Sequence, residues 1–351
     1  MPVQLLPTPA LLLDLAAMEA NLERMAAFFR GRSVRLRPHF KNHRVLELAR
    51  RQLQAGAIGI TCARLWQAAA LTNAGVSSVL LANEVAGAAQ LRELADLSRQ
   101  MPVIAAVDNA HVVEDMARIA RNSNTQIHVV VDIDLGLQRC GVQPGRAALL
   151  LAEHCVARGL AFRGLMGYAG HLQALAPGPQ KTAAVEQAMR SLLDSKLLIE
   201  AAGIAVEIVS GGGTGDYDIV GGLAGVTEHQ AGSYLLMDGW YAPFAPDFRQ
   251  ALSVLATVIS KTEQRRIVVD AGVKAISGER GLCVVKEAAH LRVMALHAEH
   301  ALIELLQPEV PIEVGDTLEL AVQYHDGTVH LHRKIYGIRG GVVEEVFDIE
   351  H

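Results

Sequence analysis

Residues 34–54 read VRLRPHFKNHRVLELARRQLQ, and this stretch predicts a strand followed by a helix. Val34–Phe40 is extended and β-rich, while Arg44–Gln54 places its apolar residues at helical spacing. Gly56 then follows, as glycine commonly does where a helix ends. A strand joined to an amphipathic helix is the building unit of parallel β/α proteins.

The same unit recurs along most of the chain. Further strands are predicted at Ala57–Thr61, Ser78–Asn83, Val103–Val107, Ile127–Ile133, Gly164–Ala169, Glu207–Ser210 and Gln230–Leu236. Further helices are predicted at Ala63–Asn73, Ala86–Gln100, Asn109–Arg121, Arg146–Arg158 and Gln180–Ala202. About eight such units match a closed (β/α)8 TIM barrel better than an open doubly wound sheet, which remains the alternative.

The pattern changes after Phe244, where short β-like segments replace the helices. These segments are Arg266–Val269, Cys283–Val285, Leu302–Leu305 and Thr328–His332. We therefore predict two domains: a barrel at residues 8–247, and a mainly β domain at residues 248–351 together with residues 1–7.

Composition narrows the class of protein. Of 351 residues, 51% are hydrophobic and the net charge is −5, which favours a large core and disfavours nucleic-acid binding. The four cysteines are widely spaced, as in a reduced cytoplasmic protein. The N-terminus lacks a basic signal region, and no apolar run is long enough to span a membrane. We expect a cytoplasmic enzyme with a small-molecule substrate and no membrane partner.

Polar residues gather where the predicted strands end, which is where a barrel carries its active site. They are Lys41, Thr61, Cys62, Asn83, Glu84, Asp132, Asp134, Arg139, Tyr168, His171 and the run Ser210–Gly215. A lone lysine is ordinarily a solvated charge. At a strand end between His39 and His43, however, its amine would lose basicity and could form a Schiff base with an aldehyde.

The glycine run Ser210-Gly-Gly-Gly-Thr-Gly215 is the second chemical signal. Glycines let backbone N–H groups approach a phosphate, although a bare glycine run is more often a surface turn. It is neither a Walker loop nor a dinucleotide fingerprint. Its place after the seventh predicted strand favours phosphate. A Schiff-base lysine and a phosphate site together point to pyridoxal phosphate.

Several motifs then resemble a known family. They are Thr8–Leu15, Arg37–His43, Val131–Asp134 with Gly136 and Arg139, Gly167–His171, Ser210–Gly215 with Tyr217 and Asp218, Gln230–Tyr234, Met237-Asp238, Asp270 to Lys274, and Glu299-His300. Together they resemble the fold-type III pyridoxal-phosphate enzymes of the D-threonine aldolase and D-serine dehydratase group, which have an alanine-racemase-like barrel. The resemblance covers nearly the whole chain.

The resemblance implies a role for each matching residue. Lys41 would bind the cofactor, and His171 would be the favoured acid/base, with a histidine that is satisfied by a neighbouring loop as the alternative. The remaining cofactor-binding residues would be Arg139, Tyr168, Ser210, Gly212, Gly213 and Thr214.

The chain departs from the family near its C-terminus. Relatives often carry His-x-Cys or His-x-Asp there, a pair that binds a divalent metal. Here Asp326 occupies the second position, but Tyr324 occupies the first and His325 is shifted by one. On a strand, His325 and Asp326 would point to opposite faces, and Asp326-Gly327 could be an exposed hairpin turn. A Zn, Mn or Mg site at His325 and Asp326 is therefore one of two open interpretations. Asn42 also replaces the usual threonine, and Ala169 replaces a glutamate.

We expect a lyase that cleaves a D-β-hydroxy-α-amino acid to glycine and an aldehyde. The alternatives are β-elimination as in D-serine dehydratase, an amino-acid racemase, and, in a different class, a non-catalytic pyridoxal-phosphate carrier. The resemblance also implies a homodimer.

Overall fold

The computed structural model describes residues 1–307 and 311–351. Its strands are β1 (Ala10–Asp14), β2 (Arg35–Leu36), β3 (Ile60–Cys62), β4 (Val79–Glu84), β5 (Val103–Val107), β6 (His128–Ile133), β7 (Ala161–Gly167), β8 (Ile208–Gly211), β9 (Glu228–His229), β10 (Leu252–Glu263), β11 (Arg266–Val269), β12 (Val284–Val285), β13 (Leu291–Leu296), β14 (Ala301–Leu305), β15 (Thr317–Ala321), β16 (Lys334–Arg339) and β17 (Val342–Asp348).

The helices alternate with strands through the first two-thirds of the chain. They are α1 (Leu15–Phe29), α2 (Leu46–Gln54), α3 (Leu65–Asn73), α4 (Ala88–Gln100), α5 (Ala110–Asn122), α6 (Arg146–Ala157), α7 (Pro179–Ala201), α8 (Tyr217–Val220) and α9 (His325–His330). Single 3-10 turns lie at Val3–Leu5, Phe40–Asn42, Gly170–Leu172, Thr214–Asp216 and Ser233–Leu235. Within the described ranges, no helix is long and apolar enough to cross a membrane.

The chain divides into two compact units. The barrel unit comprises residues 25–41 and 48–232, and the mixed-sheet unit comprises residues 1–24, 42–47 and 233–351. The boundaries predicted from the sequence followed the change in pattern after residue 244. The observed division differs because β1 pairs with β10 and β16, so that residues 10–14 belong to the mixed sheet.

The barrel unit contains one parallel sheet in the order β2-β9-β8-β7-β6-β5-β4-β3. A parallel bridge between His39 and Thr61 joins its two ends, supported by a 2.8 Å hydrogen bond from the Thr61 N–H to the Pro38 carbonyl. The predicted barrel is confirmed. Apolar side chains from five neighbouring strands form one core cluster, as expected for strands with both faces covered: Leu80, Ile104, Ala106, Val130, Met166 and Ile208.

Two predicted barrel strands are placed differently. The strand predicted at Val34–Phe40 forms ladder pairs only at Arg35–Leu36, because Pro38 has no N–H to donate. The eighth lies at Glu228–His229, whereas the predicted stretch at residues 230–236 contains the 3-10 turn Ser233–Leu235. The reason is a buried ion pair in which Arg37 donates to both carboxylate oxygens of Glu228, at 2.8 and 2.6 Å. A pattern search for apolar strands overlooks such a charged residue.

The mixed-sheet unit is built on the order β13-β14-β11-β10-β1-β16-β17, with β15 pairing both β10 and β12. Its β1 is fully apolar and buried over Leu11, Leu12 and Leu13, which suits a central strand. The mainly β character predicted for this region is confirmed. The predicted strand Thr328–His332 was wrong, because residues 325–330 form α9 and the Thr328 hydroxyl bonds back to the Tyr324 carbonyl at 2.7 Å.

Candidate active site

Lys41 lies in the 3-10 turn that follows β2, at the carboxyl end of the barrel sheet. Its backbone N–H approaches His39 Nδ1 at 3.4 Å, and the His39 N–H donates to the Ala231 carbonyl at 3.2 Å. His43 Nδ1 likewise accepts from the Val45 N–H at 3.1 Å. A ring nitrogen that accepts a hydrogen bond carries no proton, so this geometry favours neutral histidines rather than the two positive neighbours expected from the sequence.

The glycine run follows β8 in the same barrel. Gly212 has a φ of +77°, and a Cβ there would stand 2.3 Å from the His229 ring, while a Cβ on Gly213 would stand 2.8 Å from Gln173 Oε1. Both positions therefore require glycine. Ser210 and Thr214 are buried beside them, and Ser210 Oγ accepts from Gln230 Nε2 at 2.9 Å. The loop is tightly packed, unlike a flexible surface turn.

A buried polar network holds the inner side of this loop. The Asp216 carboxylate accepts from the Gly213 N–H at 2.7 Å and from Gln173 Nε2 at 2.5 Å. Gln173 Oε1 accepts from the Gly215 N–H at 2.9 Å, and Lys181 Nζ donates to the Gln173 carbonyl at 3.0 Å. Burial raises the pKa of Asp216 to about 6, and burial lowers the pKa of Lys181. The network thus fixes the shape of the loop.

The His229 side chain, on β9, packs against the same loop. Its Nε2 lies 3.0 Å from the Gly213 carbonyl, and its ring stacks on Phe29 with centroids 5.3 Å apart. Burial lowers the pKa of His229 to about 4, so the ring is neutral near pH 7 and donates from Nε2.

Arg139, Tyr168 and His171 come from neighbouring loops of the barrel. The Arg139 guanidinium lies 5.8 Å from the centre of the Tyr168 ring. A Cβ on Gly136 would stand 3.3 Å from the His171 ring, so the loop after β6 passes close to that histidine. His171 is exposed. Tyr168 thus lies beside both Arg139 and Gly213. A Cβ on Gly213 would stand 3.3 Å from the Tyr168 ring.

Acidic residues gather at the ends of β4 to β6. Glu84, Asp108 and Cys140 place their donor atoms within 4.8 Å of one another. Burial, and then the adjacent Glu84, raise the pKa of Asp132 to about 8, so this carboxyl is mostly protonated near neutral pH.

His325 and Asp326 lie in the mixed-sheet unit, in the first turn of α9. His325 Nε2 stands 3.2 Å from Asp326 Oδ1, while its Nδ1 stands 2.5 Å from Asp238 Oδ2. A helical turn, and not a strand, therefore brings the two residues together. Burial by itself would lower the pKa of His325, but Asp326 and Asp238 outweigh it and raise the pKa to about 10. Two carboxylates make this position attractive to cations.

Comparison with known protein families identifies two domain matches. The model of the alanine racemase N-terminal domain matches residues 13–238. The chain belongs to that family. A second model, the putative serine dehydratase domain, matches residues 251–338.

Members of the wider group match this alanine racemase-like chain over its length. It is 36% identical to a D-threonine aldolase of Arthrobacter sp, over 99% of this chain and 93% of the relative. It is 31% identical to a 3-hydroxy-D-aspartate aldolase of Paracoccus denitrificans (strain Pd 1222), over 97% and 91%. The solved D-threonine aldolase of Filomicrobium marinum superposes with a TM-score of 0.95 at 32% identity, over 99% and 96%.

Several residues of this family member's site escaped the sequence analysis. Gln173, Lys181 and His229 contact the glycine loop or its network from distant positions, Asp238 contacts His325 from 87 positions away, and Asp216 contacts Gly213 from three positions away. Asp216 directly follows the glycine run, and Asp238 ends a motif that was noted. These two residues could therefore have been found from their positions beside the motifs.

Proposed function

We propose that this protein is a pyridoxal-phosphate-dependent lyase that cleaves a D-β-hydroxy-α-amino acid into glycine and an aldehyde. The observation that carries the proposal is the barrel geometry: Lys41 at the carboxyl end of β2 and a preformed glycine loop at the end of β8, in one parallel sheet. The full-length similarity to a D-threonine aldolase supports the reaction class.

The barrel residues fit the cofactor. Lys41 would bind its aldehyde carbon, and Arg139 and Tyr168 would flank the ring. The phosphate would lie against Ser210, Gly212, Gly213 and Thr214, in a loop whose packing leaves no space for a Cβ at Gly212 or Gly213. When bound, pyridoxal phosphate takes up the electron pair released at the substrate Cα.

His171 is proposed as the base for the β-hydroxyl proton. A neutral imidazole nitrogen can accept a proton, and the exposed ring can exchange that proton with water between turnovers. As the proton leaves, the O–H electrons form the aldehyde C=O bond and the Cα–Cβ bond breaks. Protonation at Cα then gives glycine.

A divalent metal, Mn, Mg or Zn, is proposed at His325 and Asp326. One imidazole nitrogen and one carboxylate oxygen 3.2 Å apart suit such an ion. Asp238 would orient the imidazole through Nδ1, as carboxylates commonly do behind metal-bound histidines. The ion would favour the deprotonated β-hydroxyl.

The second candidate is β-elimination, because the putative serine dehydratase model matches residues 251–338. It would use the same lysine and cofactor but would remove the Cα proton and expel the hydroxyl. The products distinguish the two reactions, since elimination gives an oxo acid and ammonia.

The deciding experiment incubates the cofactor-loaded protein with D-threonine and D-serine, with and without EDTA. We expect aldehyde and glycine from D-threonine, with the rate falling on chelation. Oxo acid from either substrate would favour the dehydratase instead. Lys41→Ala should lose the absorbance band of lysine-bound cofactor, whereas Lys196→Ala, which removes only a surface pair with Glu200, should keep it. An unchanged band in Lys41→Ala would refute the assignment.

A homodimer and a cytoplasmic location are also proposed, on the resemblance to the family. Sedimentation at micromolar concentration tests the first. A single monomeric species would contradict it.

A further inference from the structure

Asn42 is buried in the mixed-sheet unit and points toward the proposed metal ligands. It is 2% exposed, and its Nδ2 stands 3.0 Å from His325 Nε2 and 2.5 Å from Asp326 Oδ1. The last separation is shorter than an ordinary N–H···O bond. On the other side of the amide, Asn42 Oδ1 is buried without a hydrogen-bond partner. The side chain therefore has one buried amide end that no neighbouring group satisfies.

Rotating the amide by half a turn exchanges its two ends and moves no other heavy atom. Asn42 Oδ1 then takes the place 3.0 Å from His325 Nε2 and 2.5 Å from Asp326 Oδ1. Two facing oxygens at that distance repel each other unless a cation lies between them. Ligands at right angles around an ion with bonds of about 2.1 Å stand roughly 3 Å apart, which is close to the separations of His325 Nε2 from the Asn42 amide and from Asp326 Oδ1, at 3.0 and 3.2 Å.

We propose that Asn42 is the third protein ligand of the divalent cation, binding it through the amide oxygen beside His325 and Asp326. This inference rests on the proposed metal site and adds a residue that immediately follows Lys41 in the chain. One nitrogen and two oxygen donors, with a single carboxylate among them, suit Mn²⁺. Asp326 is 25% exposed at its side chain, which leaves room for further ligands from water or substrate.

The position explains why asparagine stands where the resembling family has threonine. A threonine hydroxyl lies one bond nearer the backbone than an asparagine amide oxygen. It would fall short of the position now 3.0 Å from His325 Nε2. Threonine at residue 42 should therefore behave like alanine toward the metal, and aspartate should behave like asparagine, because its oxygen reaches equally far.

The experiment measures Mn²⁺ binding to the EDTA-stripped, cofactor-loaded protein by the electron paramagnetic resonance signal of free Mn²⁺. We expect one tight site in the wild type, roughly ten- to hundredfold weaker binding in Asn42→Ala and Asn42→Thr, and recovery in Asn42→Asp. Asn109→Ala is the matched control, since Asn109 caps α5 at the surface. Equal melting temperatures in EDTA and equal cofactor absorbance would establish that the variants fold.

Each other outcome overturns the inference in a distinguishable way. Wild-type affinity in Asn42→Ala, with loss in His325→Ala, would keep the metal but remove Asn42 as a ligand. Weaker binding in Asn42→Asp than in Asn42→Ala would assign Asn42 as a donor to Asp326. No binding of Mn²⁺, Mg²⁺ or Zn²⁺ by the wild type would remove the metal site itself, while the product assay judges the lyase separately.

Discussion

Arg37 and Glu228 form a buried bidentate ion pair, with side chains only 4% and 6% exposed. Arg37 Nη1 also donates to Ser78 Oγ at 2.7 Å, so that one guanidinium ties together the segments around β2, β9 and β4. A Cβ on Gly59 would stand 2.3 Å from this guanidinium, which accounts for glycine there. The Arg37–Glu228 ion pair therefore fixes the position of the end of β2, which leads to Lys41.

Glu228→Gln should destabilise the protein by about 3–5 kcal/mol, because it leaves a buried guanidinium without its counter-charge. Glu207→Gln is the control. Glu207 pairs with Arg163 at the surface with a side chain 57% exposed, and its loss should cost less than about 1 kcal/mol. The free energy of unfolding from urea titration measures both. Equal effects in the two variants would mean that the buried pair does not stabilise the barrel.

The loop at residues 210–216 owes its shape to the elements beneath it. The Asp216 carboxylate and the His229 ring bond to Gly213, and Gln173, from the turn after β7, bonds to Gly215. These hydrogen bonds hold the loop in a shape that leaves no space for a Cβ at Gly212 or Gly213. Because the loop is already ordered, it loses little further conformational entropy when it binds a ligand.

Gly212→Ala should weaken pyridoxal-phosphate binding by roughly tenfold or more, because its Cβ would meet the His229 ring at 2.3 Å and must displace the loop. Gly203→Ala separates backbone strain from this steric effect. Gly203 has a similar φ of +81° but no atom within 4 Å of its Cβ position. We expect it to cost about 1 kcal/mol of stability while leaving the cofactor dissociation constant unchanged. Comparable losses of affinity in both would implicate backbone strain alone.

In the whole molecule, the mixed-sheet unit is assembled from three separate stretches of sequence. β1 lies near the N-terminus, yet it pairs antiparallel with β10 and parallel with β16. Leu11, Leu12 and Leu13 are completely buried there. Burying each leucine contributes about 2 kcal/mol, so β1 is stable only when the C-terminal third of the chain is present.

A fragment of residues 1–247, which follows the domain boundary predicted from the sequence, should therefore bind a hydrophobic dye and aggregate. The shorter fragment 25–232 lacks β1 and should stay more soluble despite its smaller core. Soluble yield and dye fluorescence compare the two fragments. A soluble, monomeric 1–247 fragment that does not bind the dye would favour the predicted boundary.

The sequence by itself determined what depends on local chemistry. Periodicity located α2 to α7 to within about two residues but did not predict α1, and the strand-end polar residues located Lys41 and the 210–215 loop. It failed where distant partners outweigh local preference. The ion pair with Arg37 decides that the last barrel strand runs over Glu228–His229. The bond from the Thr328 hydroxyl to the Tyr324 carbonyl favours a helix over the strand that the alternation from Thr328 predicted.

Only the tertiary structure decided which residues share a site. Asn42, Asp238 and His325 are separated by up to 283 positions and carry no common motif, yet their side chains meet in one buried cluster. A local sequence pattern shows which faces of a helix or strand are apolar. It does not show which polar side chains from distant parts of the chain come into contact. The family resemblance could point to His325 and Asp326, but the helical turn that brings them together and the buried Asn42 amide beside them depend on the fold.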